Sequence, residues 1–243
     1  MKIILSPAKK MKEANDDFSY IDKPVFLKEA KYLYECLSKM QFAELKEVWQ
    51  CSDKLVQENQ ERLKQFSFDE HLSPALFTYI GLAYQHIAAD VMEESQLDYL
   101  QKHLRILSGF YGVLKPFDGI SPYRLEMQAK FPSFSLYDYW KDRIYQEITR
   151  EEDCIINLAS KEYSQCIEAY LKKSIRYITC VFAEEKNGKI IQKGTMAKMA
   201  RGDMVAWMSE EKIEEPEQLK DFAIHYHFEA SLSNEREYVF LRG

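Results

Sequence analysis

The sequence lacks the features of a membrane protein and of a secreted, disulfide-bonded protein. No run of about eighteen uncharged apolar residues occurs, and the first ten residues, MKIILSPAKK, become charged too early for a secretory signal. The five cysteines are an odd number without a CxxC pair, which argues against a disulfide framework or a paired-cysteine zinc site. We therefore expect a cytoplasmic protein that does not bind membranes, with Cys154 and Cys180 as buried thiols on strands.

An excess of acidic residues sets a second limit. The formal net charge is −6, from 33 Lys and Arg against 39 Asp and Glu, which argues against a protein that coats nucleic acid with its whole surface. The cations are nevertheless clustered, because residues 186–202, KNGKIIQKGTMAKMARG, contain no acidic residue, whereas residues 209–221, SEEKIEEPEQLKD, are strongly acidic. This segregation predicts a local basic cleft, although two neighbouring solvated helix faces would give the same pattern.

Hydrophobic periodicity predicts an α+β fold. The apolar runs KIIL near the N-terminus and CIIN at residues 154–157 indicate buried strands, and the turn Asn187-Gly188 between two strand-like runs indicates a hairpin. Helical spacing dominates residues 25–103, including one helix that starts at Ser73-Pro74, and it returns after a predicted N-cap at Thr195. We expect one domain over residues 1–243, with a mixed sheet surrounded by helices.

Glycine and proline are scarce, yet they concentrate in one stretch. Three of the eight glycines and two of the seven prolines lie in residues 103–127, HLRILSGFYGVLKPFDGISPYRLEM. Glycine allows positive φ and close backbone approach, and the amides of a tight GxxG turn can hold a phosphate oxygen. We therefore expect a helix-hairpin-helix-like element at about residues 95–127. The alternative is a structural hairpin whose Phe110 and Tyr111 fill the core.

Several strings in a fixed order extend over nearly the whole chain: SPAK at residues 6–9, LSGFYGVLKPFD and YRLEM within 107–127, NLAS-x-EY at 157–163, AK-x-ARG at 197–202, and the tail SLSNEREYVFLR. Together they resemble the bacterial peroxide-stress protein YaaA family. The resemblance implies an α+β fold, a role in limiting free iron during oxidative stress, and a positively charged cleft with a helix-hairpin-helix-like element that binds duplex or distorted DNA. One departure is His225, where the resemblance leads us to expect glycine.

In the DNA-binding interpretation, cationic side chains neutralise phosphates and the glycine turn positions a strand through its amides, without reading base sequence. Tyr111 could also stack on an unpaired base. Lys198 and Arg201 are three residues apart on a predicted helix and therefore share a face. The predicted DNA-binding residues are Lys9, Lys10, Arg105, Ser108, Gly109, Tyr111, Gly112, Lys115, Arg124, Lys193, Lys198 and Arg201.

An enzyme is the main alternative, because the same strings carry more polar chemistry than phosphate binding requires. This second set could form a pocket for a nucleotide or a flipped base, with Glu126 or Glu162 as proton shuttle. No recognised nucleophile-and-base motif is present, so no catalytic residue is assigned. Alternatively, Arg124–Glu126 and Lys198–Glu162 are structural ion pairs. The candidate pocket residues are Ser6, Glu126, Asn157, Ser160, Glu162 and Tyr163.

A direct iron site is the third alternative. His225 and His227 would point to the same side of a strand, where each could bind a metal ion. The other three histidines are scattered along the chain and form no acid–histidine pairing at ligand spacing. We therefore expect no metal site and no cofactor.

Overall fold

A mixed sheet forms the centre of the fold in the computed structural model, which describes residues 1–13 and 18–243. The strands of the described chain are β1 (Lys2–Leu5), β2 (Lys10–Met11), β3 (Ser73–Pro74), β4 (Tyr79–Ile80), β5 (Leu104–Ser108), β6 (Gly112–Leu114), β7 (Gly119–Ile120), β8 (Cys154–Asn157), β9 (Arg176–Lys186), β10 (Lys189–Ile191), β11 (Tyr226–Phe228) and β12 (Glu237–Arg242). Eight of them build the main sheet, in the order β11-β12-β9-β8-β1-β5-β6 with β10 paired to β9. The five strands from β12 to β5 run parallel, and β6, β10 and β11 are antiparallel to their neighbours.

Helices surround this sheet, which confirms the α+β prediction. They are α1 (Leu27–Ser38), α2 (Phe42–Trp49), α3 (Asp53–Gln65), α4 (Ala75–Thr78), α5 (Leu82–Ile87), α6 (Glu94–His103), α7 (Leu136–Trp140), α8 (Arg143–Ile148), α9 (Lys161–Glu168) and α10 (Gly194–Glu210), with 3-10 turns at Ala89–Val91, Pro216–Asp221 and Ala230–Leu232. None of the helices in the described ranges is long and apolar enough to cross a bilayer.

The strand order creates a point where chain connections diverge. Strand β1 lies between β8 and β5, so the chain leaves β1 toward β5 on one side and leaves β8 toward β9 on the other. The loops after β1 and β8 therefore run in opposite directions from the carboxyl ends of two neighbouring parallel strands. Open parallel sheets usually bind ligands in the crevice at such a switch point.

The central strands are buried, as their apolar sequences predict. Ile3, Ile4 and Leu5 of β1 have at most 1% exposure, which is expected for a parallel strand covered on both faces. The thiols predicted to be buried on strands, Cys154 and Cys180, are buried, and burial raises their pKa values to about 11 and about 12. Both thiols are therefore protonated at neutral pH.

The single helix predicted from Ser73-Pro74 onward is wrong. Residues 73–87 instead form β3, the single turn α4, β4 and α5. Gly81 is extended, with φ of −172°, and it separates β4 from α5. Strand β4 pairs with β2, so the cross-strand hydrogen bonds replace those of the predicted helix. Glycine within a helical pattern signals such a break.

The glycine-rich stretch forms a helix followed by a β-hairpin. Helix α6 leads into antiparallel β5 and β6, and no further helix occurs in residues 104–135, all of which are described. Phe110 and Tyr111 are each 1% exposed, so they fill the core as in the structural-hairpin alternative. The prolines and glycines that follow the hairpin favour extended segments over a second helix.

His225 occupies a left-handed backbone conformation, with φ of +58°. This conformation is usually taken by glycine, because the Cβ atom of other residues costs about 1–2 kcal/mol there. We expect His225→Gly to raise the free energy of unfolding by up to about 1 kcal/mol, since glycine's extra freedom in the unfolded chain offsets part of the gain. Urea denaturation measures the difference.

His227→Gly is the matched control for this substitution. His227 lies in β11, paired with Leu241, where glycine weakens a strand. The control should therefore lower the urea midpoint. A lower midpoint for both variants would contradict the assignment of strain to residue 225.

Candidate functional site

A cavity of about 340 Å³ lies at the switch point between β1 and β8. It is lined by residues 5–10, from the end of β1 to the start of β2, and by residues 80–84, from the end of β4 into α5. Leu158, Ser160, Glu162 and Tyr163, which follow β8, form a third part of the lining. Lys198 and Arg201 of α10 complete the lining. Four segments that are far apart in the chain therefore meet at one concave surface.

Helix α10 reaches the cavity because it packs tightly against α5. A Cβ atom at Gly202 would lie 2.2 Å from the carbonyl oxygen of Ala83, so only glycine permits this approach of the two backbones. Lys198 lies about one helical turn before Gly202 and Arg201 lies directly before it, and both line the cavity, as their spacing predicts. The contact between α5 and α10 thus sets the position of both cations.

The cavity lining is cationic although the protein is acidic. Lys9, Lys10, Lys198 and Arg201 line it, and among its described lining residues Glu162 is the one carboxylate. No carboxylate of the described residues lies within 4.0 Å of the charged nitrogens of Lys198 or Arg201. Burial lowers the pKa of Arg201, and its buried Nε has no hydrogen-bond partner in the part of the chain that the structure describes. Among the described residues, Lys9 is the lining cation that pairs with a carboxylate, whereas Lys10 at the rim and the two cations of α10, Lys198 and Arg201, do not.

Two serines tie the loops after β1 and β8 together. The Ser160 N–H donates to Ser6 Oγ at 2.8 Å, and the two Oγ atoms are 3.1 Å apart. The Tyr84 hydroxyl donates to the Ser6 carbonyl oxygen at 3.0 Å, which fixes α5 against the same loop. Ser160 is the N-cap residue of α9, but its side chain makes no capping hydrogen bond. Its hydroxyl is instead engaged with Ser6 beside the cavity.

Asn157, which precedes this loop, is buried and has a structural role. Its Oδ1 accepts the Ala159 N–H at 2.9 Å, and its Nδ2 donates to Thr179 Oγ1 at 3.2 Å. Both ends of the amide are therefore satisfied within the protein. Asn157 shapes the turn after β8, while its neighbours Leu158 and Ser160 line the cavity.

Glu126 lies between two cations next to the cavity. Its Oε1 accepts a hydrogen bond from Arg124 Nη2 at 2.8 Å and lies 3.3 Å from Lys9 Nζ. The predicted Arg124–Glu126 ion pair is thus confirmed. The pair predicted between Lys198 and Glu162 does not form, because their charged atoms are more than 4.0 Å apart; Glu162 Oε1 accepts the Gln128 N–H at 3.3 Å.

Glu162 titrates at a higher pH than an ordinary glutamate. Burial raises its pKa, and the nearby charge of Glu126 adds to the rise. The backbone N–H of Gln128 and the charge of Lys9 act in the opposite direction. The carboxyl group is therefore easier to protonate than one in water.

The turn at Gly109 packs against the segment that carries Arg124 and Glu126. A Cβ atom at Gly109 would lie 2.6 Å from the Leu125 carbonyl oxygen and 2.9 Å from the carbonyl carbon of Glu126. Glycine therefore allows the turn to press against the YRLEM segment that carries Arg124 and Glu126. This close approach explains why glycines concentrate in the stretch.

The turn itself is buried, so it offers no surface to nucleic acid. Ser108 and Tyr111 are 0% and 1% exposed. The N–H groups of Phe110 and Tyr111 donate to Ser108 Oγ at 3.1 and 2.8 Å, and Gly112, at φ of +73°, packs against Trp140. Phosphate contacts through these amides and base stacking on Tyr111 would require the turn to unfold. These four predicted contacts, Ser108, Gly109, Tyr111 and Gly112, therefore lie outside the candidate interface.

Other predicted cations point elsewhere. Arg105 and Lys115 line a separate cavity of about 250 Å³ together with Asp118, whose pKa burial raises to about 7. The guanidinium of Arg124 is held by Glu126, and Lys193 pairs with Glu184 at 2.5 Å. Of the twelve predicted DNA-binding residues, those that line the switch-point cavity are Lys9, Lys10, Lys198 and Arg201.

The segment from Ile80 to Tyr84 was not predicted as part of the site. It forms one wall of the cavity and supplies the Tyr84 hydroxyl that holds the Ser6 loop. Gly81 was the available signal, because glycine inside a helical pattern often marks a close backbone approach.

The two histidines considered as iron ligands are exposed. Within residues 1–13 and 18–243, no group of three or more His, Cys, Asp or Glu side chains has the geometry to hold a metal ion. The pairing of His86 Nδ1 with Asp203 Oδ1, at 2.7 Å, joins α5 to α10 and involves only two such groups.

Comparison with known proteins extends over all of these segments. A family model described as "Peroxide stress protein YaaA" matches residues 1–232. Similar curated proteins, each named "UPF0246 protein", occur in Agathobacter rectalis (47% identity over 246 residues, 100% of this chain and 99% of the relative) and Lachnoclostridium phytofermentans (46% over 247 residues, 100% and 97%). A third, in Ligilactobacillus salivarius, is 45% identical over 247 residues, covering 100% of both chains. The similarity therefore includes every residue that lines the cavity.

Proposed function

Because the chain belongs to the peroxide stress protein YaaA family, we propose that it is a cytoplasmic, single-domain protein that binds duplex or distorted DNA without sequence preference. The binding surface is the cationic rim of the switch-point cavity. DNA held there is shielded from radicals that iron generates from peroxide, and the protein thereby helps to limit free iron and oxidative DNA damage.

The observation that carries this proposal is the convergence of Lys9, Lys10, Lys198 and Arg201 on one cavity of an acidic protein. A concave surface lined by one sign of charge concentrates the electric field and attracts a polyanion. The three lysines are exposed, so phosphates that pass over the rim can reach them. Contacts of this kind give affinity and not base specificity.

We infer that the β9–β10 hairpin, which directly precedes α10 in the chain, adds to this basic surface. Its strands end directly before α10, and Lys186 and Lys189 lie opposite each other at its turn. Like charges directly across a strand pair are destabilising in isolation. A bound phosphate backbone would relieve that repulsion. The buried β5–β6 turn, in contrast, has no part in the proposed surface.

Lys198→Ala tests the proposed surface in a gel-shift series at several salt concentrations. Loss of one phosphate contact should make the log–log salt slope shallower by about one and weaken binding roughly five- to tenfold at 0.1 M salt. Lys173→Ala removes the same charge from an exposed residue in the loop between α9 and β9, at the opposite end of the sheet. The control should leave the slope unchanged. Equal effects of the two substitutions, or no retardation at low salt, would refute the DNA proposal.

A second candidate is an enzyme that acts on a nucleotide or base in the same cavity. The raised pKa of the Glu162 carboxyl favours this candidate, because a proton shuttle works best when its pKa lies near the working pH. Glu162→Gln would then abolish protection of peroxide-treated cells while DNA retardation stays at the wild-type level. A variant that still protects cells would exclude this role of Glu162.

A further inference from the structure

The cavity is small compared with a DNA duplex. Its volume of about 340 Å³ falls at the lower end of the range of about 300–1,000 Å³ that is typical of small-molecule sites. A double helix is far too wide to enter, so only a strand end or a small molecule can occupy the interior. The rim and the interior of the cavity can therefore bind different parts of a ligand.

The two cations of α10 that line this cavity have no carboxylate partner among the described residues. A buried cation without a counter-charge is unfavourable, because the protein interior solvates it poorly. Arg201 is in this state, since within residues 1–13 and 18–243 its Nε has no hydrogen-bond partner and no carboxylate is within 4.0 Å of its charged nitrogens. Lys198, one turn away on α10, likewise has no carboxylate of the described residues within 4.0 Å of its ammonium nitrogen. Lys9, in contrast, is engaged by Glu126.

The charge of this pair identifies the class of anion. A phosphomonoester carries close to two negative charges at neutral pH, because its second pKa is about 6. A carboxylate or a phosphodiester carries only one. The two cations of α10, Lys198 and Arg201, therefore match a phosphomonoester in charge, and a guanidinium fork matches its oxygens in geometry.

The serine pair supplies a neutral donor next to these cations. Ser6 Oγ and Ser160 Oγ share one hydrogen bond between them, which uses only one of the two hydroxyl hydrogens. The other hydrogen remains available for an oxygen in the cavity. An N-cap serine normally accepts a hydrogen bond from its own helix, and Ser160 does not. Its hydroxyl instead contacts Ser6 Oγ, and both serines line the cavity.

We propose that the interior of the switch-point cavity binds a phosphomonoester, held by Lys198, Arg201 and the Ser6–Ser160 hydroxyl pair. The group is either the phosphate of a free mononucleotide or the terminal phosphate of a DNA strand. For the second source this inference rests on the proposed DNA binding at the rim. For the first source it does not.

Fluorescence-anisotropy competition separates these sources. The competitors are inorganic phosphate, adenosine monophosphate, adenosine, and one oligonucleotide with a 5′-phosphate, a 3′-phosphate or neither. Phosphorylated competitors should bind at least about tenfold more tightly than their dephosphorylated counterparts. Preference for adenosine monophosphate over every oligonucleotide assigns the free nucleotide, and preference for one phosphorylated strand end assigns the DNA terminus. Equal binding of phosphorylated and dephosphorylated probes overturns the inference.

Charge-removing variants identify the phosphate ligands. Arg201→Gln and Lys198→Gln should each reduce the preference for phosphate about tenfold, and Lys173→Gln should leave it unchanged. If Arg201→Gln does not fold, the exposed Lys198 still provides the test. If Lys198→Gln keeps the full preference for phosphorylated competitors, the assignment of Lys198 as a side chain that binds the phosphate is wrong.

Closed circular DNA, which has no terminal phosphate, keeps the two proposals apart. If it binds while the phosphate preference is absent, the rim proposal stands and the phosphomonoester inference fails. If adenosine monophosphate binds while circular DNA does not, the inference stands and the rim proposal fails.

Discussion

Gly202→Ala is expected to lower the free energy of unfolding by about 3 kcal/mol. The added Cβ would lie 2.2 Å from the Ala83 carbonyl oxygen and 2.7 Å from the His86 Cβ, well inside contact distance. Overpacking typically costs about 1–3 kcal/mol, and the upper end applies because the obstructing atom belongs to the backbone and cannot rotate away. Urea denaturation should show a lower midpoint with an unchanged slope.

Gly194→Ala on the same helix is the matched control. A Cβ at Gly194, the first residue of α10, would meet no atom within 4 Å. Alanine favours helix by up to about 1 kcal/mol over glycine, so this variant should be as stable as the wild type or slightly more stable. A similar loss of stability in both variants would mean that glycine propensity, and not the α5–α10 contact, determines the result.

The Gly202 substitution should also weaken ligand binding in the protein that remains folded. To accommodate the methyl group, α5 and α10 must separate by about 1 Å. The helix that moves carries Lys198 and Arg201, while the opposite wall carries Ser6 and Ser160. Binding measured well below the urea midpoint should therefore fall in Gly202→Ala and stay unchanged in Gly194→Ala.

Local patterns were sufficient to predict the parts of the site that depend on one segment. Apolar runs followed by polar loops identified β1 and β8, and the Lys198–Arg201 spacing placed both side chains on one helix face. These features depend on strand and helix periodicity, which the sequence carries directly. The Asn187-Gly188 hairpin is confirmed for the same reason, with both residues at positive φ.

The direction in which a charged side chain points depends on distant parts of the chain. Arg105 lies on β5 and Arg124 lies within the YRLEM segment, and both carry the charge that the DNA interpretation required. Arg105 faces a different cavity, and Arg124 is held by Glu126. Strand order and long-range packing decide these outcomes. Neither is encoded in residue spacing.

The glycine-rich stretch illustrates the same limit. Its composition correctly indicated close backbone approach, but the approaching partner is the protein's own Leu125–Glu126 backbone and not a phosphate. The burial of Phe110 and Tyr111 decides between the two interpretations. A turn in a sequence has the same composition whether it faces solvent or the core.

Glu126→Gln is expected to reduce stability and increase anion affinity. The carboxylate of Glu126 compensates Arg124, whose side chain is 12% exposed, and no other carboxylate of the described residues pairs with that guanidinium. Removing one partner of a buried ion pair costs about 3–5 kcal/mol, and the residual solvent contact at this site favours about 3 kcal/mol. Glu217→Gln, which breaks the exposed pair with Arg176, should cost no more than about 1 kcal/mol.

The effect on binding has the opposite sign because Glu126 also engages Lys9. Without the carboxylate 3.3 Å away, the Lys9 ammonium is free to contact a phosphate at the rim of the cavity. DNA retardation at low salt should therefore be stronger for Glu126→Gln than for the wild type, with a salt slope steeper by up to about one. A variant that loses stability and DNA affinity together would instead mean that Glu126 holds Lys9 in the orientation that binds DNA. Glu217→Gln lies outside the cavity lining, so it should leave both the slope and the affinity unchanged.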